Sequence, residues 1–177
     1  MRSLFLTFAL VLTIAPAAGN AQTVDRVKGW QADIDSLIER IDHHHPNPWA
    51  HRSRADFLRE VAALRESVAA YSDEKLLTGV MHVAASLGDG HTGVVDVGKT
   101  ASAFWFPVRF TLFDDGLWVT AISPEYANAA GKRVVTIGGR PIDDVIGRWL
   151  AVAQGDNLFN RRQHSSALSN GAVLAGL

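Results

Sequence analysis

The sequence predicts an α+β fold in which helices come first and strands follow. Across residues 24–87 the apolar residues recur every three or four positions, the spacing that places them on one face of a helix. After Gly93 the pattern changes to short runs of β-branched and aromatic residues separated by tight-turn sequences. This change of period predicts an amino-terminal helical bundle of about three helices, followed by a small mixed β region.

Each of the three helices has its own boundary signals. The first covers residues 24–43 and ends before the sequence HPNP at 45–48, because proline disfavours helical angles in the residue that precedes it. The second begins after Ser53 and the third after Ser72, since both hydroxyls are suited to capping the first amides of a helix. Gly88 is placed to end the third helix in the left-handed conformation.

The β region is predicted from short extended segments and their turns. The sequence Asp-Asp-Gly at 114–116 joins the two longest segments, residues 104–113 and 117–122, in a hairpin. Pro107 cannot donate to a sheet ladder, so an edge strand or a bulge is expected at that residue. The remaining predicted elements are strands at 94–97 and 134–137, and helical segments at 124–130, 142–152 and 158–177.

The composition is that of an ordinary globular protein. The chain has 177 residues, 47% of them apolar, a formal net charge of −1 and no cysteine. Lysine and arginine are scattered among acidic residues, with no basic block that would follow a phosphate backbone. We therefore expect neither disulfide bonds nor nucleic-acid binding.

The amino terminus has the three-part pattern of a secretory signal peptide. Arg2 precedes the mainly apolar residues 4–15, and the small residues that follow predict cleavage after Ala21. The apolar run is shorter than the roughly 20 residues that a bilayer crossing needs, so we expect no transmembrane span after cleavage. An uncleaved membrane anchor is the alternative. The predicted organisation is a signal peptide at 1–21, a helical domain at 22–93 and a β-rich region at 94–177 in a secreted or periplasmic protein.

The sequence SLGDGHTGVV at residues 86–95 contains the main candidate for chemistry. His91 lies between glycines, directly after a helical pattern, and it has the only side chain of the segment that exchanges protons near neutral pH. Gly90 allows the sharp turn. Asp89 or the Thr92 hydroxyl would fix the tautomer of the imidazole. The alternative is that His91 is only a local hydrogen-bond partner in the turn.

A zinc site is a further hypothesis, in which imidazoles come from the run His43, His44 and His45, from His51 and from His82. Consecutive helical residues point about 100° apart, so at most two of the three could converge. The chain has no cysteine and no H-E-x-x-H pattern. We therefore expect no metal and no other cofactor.

Several segments together resemble the amino-terminal part of the tail-specific serine peptidases, a family that includes the C-terminal-processing proteases and the tricorn core proteases. The likeness runs over most of the chain that follows the signal peptide. The segments are HPNP (45–48), LGDGHT (87–92), FPVRF (106–110), DGLWV (115–119) and AAGKRVVTIGGRPIDDV (129–145). The resemblance implies a serine-type endopeptidase whose substrate is a peptide or an unfolded protein.

The resemblance also implies roles for particular residues. In the tricorn-like branch His91 would be the general base for a serine further along the chain, whereas in the C-terminal-processing branch a downstream lysine activates the serine. The sequence leaves the two branches open. His45 and Asn47 would line the substrate cleft. Residues 129–145 resemble the core of a PDZ-like module, which binds peptides by strand addition; the alternative is that this segment only packs.

The nucleophile that the family requires is missing from the sequence. No G-x-S-x-G motif occurs, and Ser165, Ser166 and Ser169 fall in a helix-like stretch. We therefore expect the chain to be the front portion of a longer peptidase, or a gene remnant of one, and to be inactive by itself. The alternative is a non-catalytic secreted module that binds peptides or assembles with a partner.

Overall fold

A computed structural model of the chain describes residues 18–94 and 104–177. The fold is α+β, with helices and two small antiparallel sheets, as the change of sequence period predicts. The apolar run of the predicted signal peptide and residues 95–97 of the first predicted strand lie outside the described residues. The first three helices are α1 (Ala18–His44), α2 (Arg54–Glu66) and α3 (Asp73–Ala85).

The amino-terminal caps of α2 and α3 are those that the sequence predicts. The Ser53 hydroxyl accepts a hydrogen bond from the Asp56 amide at 3.1 Å, and the Ser72 hydroxyl accepts one from the Lys75 amide at 3.3 Å. At the other end of α3, Gly88 has φ +70°, the left-handed conformation expected of a helix terminator. Local sequence therefore determines where these two helices begin and where α3 ends.

The three helices share one apolar core. Ile34 and Ile41 of α1 pack with Phe57 and Val61 of α2, and all four side chains are buried. The rest of this cluster comes from α2 and α3 and from the loops that follow them: Leu64, Val68, Leu76, Val83 and Leu87. None of the helices in the described ranges combines the length and the apolar character that a bilayer crossing requires.

The predicted hairpin is formed by β1 (Val108–Phe113) and β2 (Gly116–Ile122), with Asp114 and Asp115 in the turn. The register shifts between Arg109 and Phe110, so the irregularity lies two residues beyond Pro107. On the other side of β2 the backbone of residues 131–134 adds further hydrogen bonds, including Val134 N to Leu117 O at 2.8 Å.

The middle of the chain continues through short elements. A 3-10 helix (Pro124–Ala129) leads to the two-residue strands β3 (Thr136–Ile137) and β4 (Arg140–Pro141). Gly138 and Gly139 form their turn, with φ of +58° and +79°, the pair of positive angles that a two-residue hairpin turn requires. Helix α4 (Ile142–Val152) follows with the predicted bounds. The predicted strand at 134–137 is shorter than expected, because Val134 pairs with β2 instead.

The predicted helical stretch at 158–177 is broken into three pieces. They are α5 (Leu158–Gln163), a 3-10 helix (His164–Ser169) and α6 (Gly171–Gly176). The interruption has a tertiary cause, since the Ser165 hydroxyl accepts from the Leu112 amide at 3.0 Å and the Ser169 hydroxyl donates to Val108 O at 2.6 Å. These bonds attach the 3-10 helix to the edge of β1.

A second apolar core joins the two regions of the chain. Trp149 of α4 packs with Leu77 and Met81 of α3, Leu117 of β2 and Val173 of α6. All five side chains are buried. This core holds the end of α3, and therefore the turn that carries His91, against the carboxyl-terminal elements.

Candidate functional site

His91 lies on the turn that follows α3. The Leu87 and Gly88 amides donate to the carbonyls of Ala84 and Ala85, which closes the carboxyl end of α3 directly before Asp89. The His91 side chain is 98% exposed, so the turn presents the imidazole to solvent instead of packing it into the core. A histidine in this position can exchange protons with a group brought to it from outside.

Asp89 organises the turn through three hydrogen bonds. Its carboxylate accepts from the Thr92 hydroxyl at 2.6 Å, from the His91 amide at 3.1 Å and from His45 Nε2 at 3.1 Å. The Thr92 and His91 hydrogen bonds, with a smaller contribution from His45, lower the pKa of Asp89 to about 2 against the opposing effect of partial burial. Asp89 is therefore ionised at neutral pH.

The carboxylate of Asp89 also lies close to the His91 ring, without bonding it. His91 Nδ1 is 3.8 Å from Asp89 Oδ1, within ion-pair range but too long for a hydrogen bond. The Thr92 hydroxyl donates to Asp89 instead of contacting the imidazole. Asp89 and Thr92, the two side chains expected to fix the tautomer of His91, therefore bond to each other. Of the two ring nitrogens of His91, Nδ1 lies nearer the Asp89 carboxylate.

His45 and Asn47 connect the end of α1 to this turn. The Asn47 amide donates to His45 Nδ1 at 3.1 Å, so Nε2 carries the proton and donates to Asp89 Oδ2. The His45 side chain is only 12% exposed. The expected cleft-lining residue is therefore held on both ring nitrogens and acts as a support for Asp89, while the Asn47 side chain is exposed.

A second loop, which no sequence pattern indicates, also holds the turn. Asp156 Oδ1 accepts from the Gly90 amide at 2.6 Å, and Gln154 Nε2 donates to Gly90 O at 3.1 Å. A Cβ atom at Gly90 would lie 3.1 Å from side-chain oxygens of Asp156 and Asn160, so glycine is required for close approach as well as for the turn. The Gly-Asp-Asn sequence at 155–157 signals a turn, but nothing in it identifies its partner.

Arg161 ties the second loop to the helix ends. Its guanidinium donates to Leu150 O of α4 at 3.2 Å, to Ala85 O of α3 at 3.4 Å and to Gly155 O at 3.4 Å. A cation at the carboxyl ends of two helices also complements their dipoles. Arg161 thereby fixes the relative position of α3, α4 and the loop beside Gly90.

The described part of the candidate site contains no activated hydroxyl. Within residues 18–94 and 104–177 no serine hydroxyl is hydrogen-bonded to an imidazole. Ser165 and Ser169 are buried and bind β1, while Ser166 is exposed. The described residues therefore supply a proton acceptor without a nucleophile.

The histidine run does not form a metal centre in the described part of the chain. His43 and His44 are exposed at the end of α1, while His45 bonds to Asp89. No three histidine, aspartate or glutamate side chains converge on a common point within the two described ranges.

The segment that resembles a PDZ core contributes to an apolar groove of about 480 Å³. Val134, Thr136 and Ile137 of this segment form one wall. The other walls come from the segment before β1, the β1–β2 hairpin, the 3-10 helix before Gly131 and α6. They contribute Phe106, Phe110, Val119, Tyr126 and Leu174. The groove is a concave apolar surface of the kind that binds side chains of a partner.

Comparisons with known proteins found no relative of the chain. No protein-family model matches the chain, and neither the curated proteins nor the solved structures contain a match.

Proposed function

We propose that the chain is the amino-terminal part of an exported serine-type endopeptidase of the tail-specific and tricorn-core type, in which His91 is the general base. The observation that carries this proposal is the exposure of the His91 imidazole on a braced turn. Two other histidines, His45 and His82, have both ring nitrogens hydrogen-bonded, as structural histidines do. The placement of His91 instead supports proton exchange with an incoming group.

The geometry around His91 suits the role of a base. The ionised Asp89 carboxylate lies nearest Nδ1 and favours the proton on that nitrogen, which leaves Nε2 to accept the proton of a serine hydroxyl. The serine oxygen then attacks the peptide carbonyl. His91 returns the proton to the leaving amine, and water hydrolyses the acyl-enzyme by the reverse exchange. Asp89 stabilises the imidazolium that forms in each step.

The proposal includes the finer architecture that the resemblance implies. The common core of α1, α2 and α3 supports an amino-terminal helical bundle, and the groove beside residues 134–137 supports a PDZ-like segment. The signal peptide predicted at residues 1–21 supports export to the periplasm or beyond. The histidine branch is favoured over the lysine branch by the exposed imidazole.

The proposed mechanism needs a serine from beyond residue 177, so the first experiment is to read the gene past codon 177. We expect a continuing frame that encodes a glycine-flanked serine. The product of that frame should react covalently with a fluorophosphonate probe, and the 177-residue chain should not. A stop codon at 178, or a longer product that the probe does not label, would contradict the peptidase proposal.

The second candidate function is a non-catalytic module that binds an extended peptide. It is favoured by the apolar groove between the hairpin and residues 134–137. Titration of the 177-residue chain with a mixed library of peptides that end in an apolar residue would distinguish the binding module from the peptidase. Saturable binding at Phe110 and Val119, together with a stop codon at 178, would support the module and not the peptidase.

A further inference from the structure

The turn after α3 contains two glycines that fit against a loop from the carboxyl-terminal half of the chain. A Cβ atom at Gly93 would overlap Gln154 Oε1, and one at Gly90 would lie 3.1 Å from Asp156 Oδ2. Neither glycine can therefore carry a side chain without displacing a group of this loop. We call residues 154–157 the bracing loop. Its fit against both glycines shows that the turn accommodates a distant partner as well as its own bend.

The bracing loop binds both backbone groups of Gly90. Asp156 Oδ1 accepts from the Gly90 amide at 2.6 Å, and Gln154 Nε2 donates to the Gly90 carbonyl at 3.1 Å. The peptide groups before and after Gly90 are thereby fixed, and the second of them leads directly to His91. The His91 amide in turn donates to Asp89 at 3.1 Å. The backbone that carries the imidazole is therefore bonded on both sides of Gly90 and at His91 itself.

The bracing loop is itself held by α5. A Cβ atom at Gly155 would lie 2.8 Å from the Arg161 backbone nitrogen, so the loop packs directly on this helix. The Asn157 side chain caps the start of α5 by accepting from the Asn160 amide at 2.9 Å. The Arg161 guanidinium then connects the loop to the ends of α3 and α4. The position of the bracing loop is therefore set by three helices.

The His91 ring depends on this backbone for its position. It is 98% exposed and makes no hydrogen bond to the described residues, so the backbone of the turn determines where the ring lies. A general base works only when its nitrogen lies within hydrogen-bond reach of the proton that it removes. A misplacement of about 1 Å can lower the rate of such a step by about 100-fold. The side chains that fix the two peptide groups of Gly90 therefore influence the rate of any proton transfer at His91.

We propose that Gln154 and Asp156 are positioning residues for the candidate base, and that they act on the rate of proton transfer and not on substrate binding. This inference rests on the proposed function, because it needs His91 to be the base. Asp156 acts as a hydrogen-bond acceptor, a role that a neutral amide oxygen also fills. Gln154 acts as a donor, a role that an ionised carboxylate cannot fill. Two substitutions that hardly change the size of the side chain, Asp156→Asn and Gln154→Glu, therefore have opposite expected effects.

The test measures peptide cleavage by variants of the longer gene product. Asp156→Asn keeps an acceptor for the Gly90 amide and should retain most of the activity, whereas Asp156→Ala should lower kcat by at least about tenfold with KM unchanged. Gln154→Glu places a carboxylate against the Gly90 carbonyl and should lower kcat by a similar factor. The control is Gln163→Glu, the same change at an exposed position of α5, which should leave kcat as it is. An unchanged kcat in Gln154→Glu, or an equal loss in Asp156→Asn and Asp156→Ala, would overturn the proposal.

Amide hydrogen exchange in the 177-residue chain measures the effect of the bracing loop without catalysis. The exchange rate of the Gly90 amide should rise by about fivefold in Asp156→Ala, the factor expected from one hydrogen bond, and should stay low in Asp156→Asn. The amides of α1 should exchange at the same rate in all three chains, which shows that the variants are folded. A Gly90 amide that exchanges equally fast in the unmodified chain and in Asp156→Ala would contradict the proposal.

Failure of this proposal and failure of the peptidase proposal give different results. If the longer gene product does not react with the fluorophosphonate probe, the peptidase function is refuted and the catalytic role of the bracing loop with it. The exchange of the Gly90 amide still shows in that case whether the loop holds the turn. A reactive peptidase in which Gln154→Glu and Asp156→Ala cleave at the unmodified rate would refute the positioning roles alone.

Discussion

His45 Nε2 donates to Asp89 Oδ2 at 3.1 Å, across 44 residues of sequence. The bond joins the end of α1 to the turn after α3, and it orients the carboxylate that lies next to the His91 ring. Because the Asn47 amide holds the other nitrogen of His45, the proton on Nε2 is fixed. The turn that carries the proposed base is therefore held by a carboxylate, which is itself held by a second histidine.

The first prediction concerns acid stability. The pKa of Asp89 is lowered from 3.8 to about 2 in the folded chain. The ionised carboxylate therefore stabilises the fold fully above pH 4–5, and this stabilisation is lost as the pH falls through about 2. A depressed carboxylate pKa of this size corresponds to at most about 2 kcal/mol of unfolding free energy. We expect Asp89→Asn to remove this part of the pH dependence between about pH 5 and pH 2. Urea unfolding at pH 6, 4 and 2.5 would measure it.

The control for this measurement is Asp33→Asn, at an exposed position of α1. It should leave the acid dependence of the unfolding free energy as it is in the unmodified chain. If Asp89→Asn and Asp33→Asn have the same pH profile, the hydrogen bonds from Thr92, His91 and His45 do not stabilise the ionised form.

The second prediction separates the two histidines of the site. His91→Ala should change the unfolding free energy by no more than about 0.5 kcal/mol, because the ring is exposed and makes no hydrogen bond to the described residues. His45→Ala should cost about 1–3 kcal/mol, because it leaves the Asn47 amide without its acceptor and removes one of the two hydrogen bonds to Asp89 Oδ2. Chemical denaturation of both variants at pH 7 measures the difference. A large loss for His91→Ala would indicate that this side chain has a structural role.

The third prediction compares two glycines by the same substitution. Gly90→Ala should destabilise the fold by about 1 kcal/mol, because the added methyl group meets Asp156 and Asn160 oxygens at 3.1 Å. Gly147→Ala should stabilise it by about 0.5–1 kcal/mol, since Gly147 is exposed within α4 and has nothing within 4 Å of the new methyl group. Thermal unfolding of the two variants should give shifts of opposite sign. Equal shifts would mean that the loop beside Gly90 does not constrain the turn.

The fourth prediction tests the contact between Arg161 and the ends of α3 and α4. Arg161→Lys keeps the charge but loses the planar fork that reaches Ala85 O, Leu150 O and Gly155 O together, so we expect a loss of about 1–2 kcal/mol. Arg40→Lys, at an exposed position of α1, is the matched control and should be close to neutral. Urea denaturation compares them. An unchanged unfolding free energy in Arg161→Lys would show that the guanidinium contacts with the three carbonyls do not stabilise the fold.

Elements defined by local chemistry were predictable from the sequence. The serine caps of α2 and α3, the left-handed Gly88, the Gly138-Gly139 turn and the bounds of α4 all follow from a few neighbouring residues. The exposed turn around His91 was predictable for the same reason, because a helix end followed by glycines already specifies its backbone.

Features that depend on distant partners were not predictable. Residues 158–177 have helical spacing, but Ser165 and Ser169 bind β1, and these tertiary bonds break the helix. Asp156 contacts Gly90 across 66 residues, and no local pattern records that pairing. The same applies to His45, whose sequence context suggests a cleft residue although its ring bonds to Asp89. Patterns in a single sequence indicate the conformation of a segment, but they do not indicate which distant segment it contacts in the fold.

The most direct test of the central claim is the rate at which the continuing gene product cleaves an unfolded protein when His91 is replaced. The account predicts that His91→Ala lowers kcat/KM by at least about 100-fold, the usual contribution of a positioned general base, with the fold retained. His44→Ala, at an exposed histidine of α1, should leave kcat/KM unchanged. Cleavage by His91→Ala at the rate of the unmodified enzyme would contradict the account.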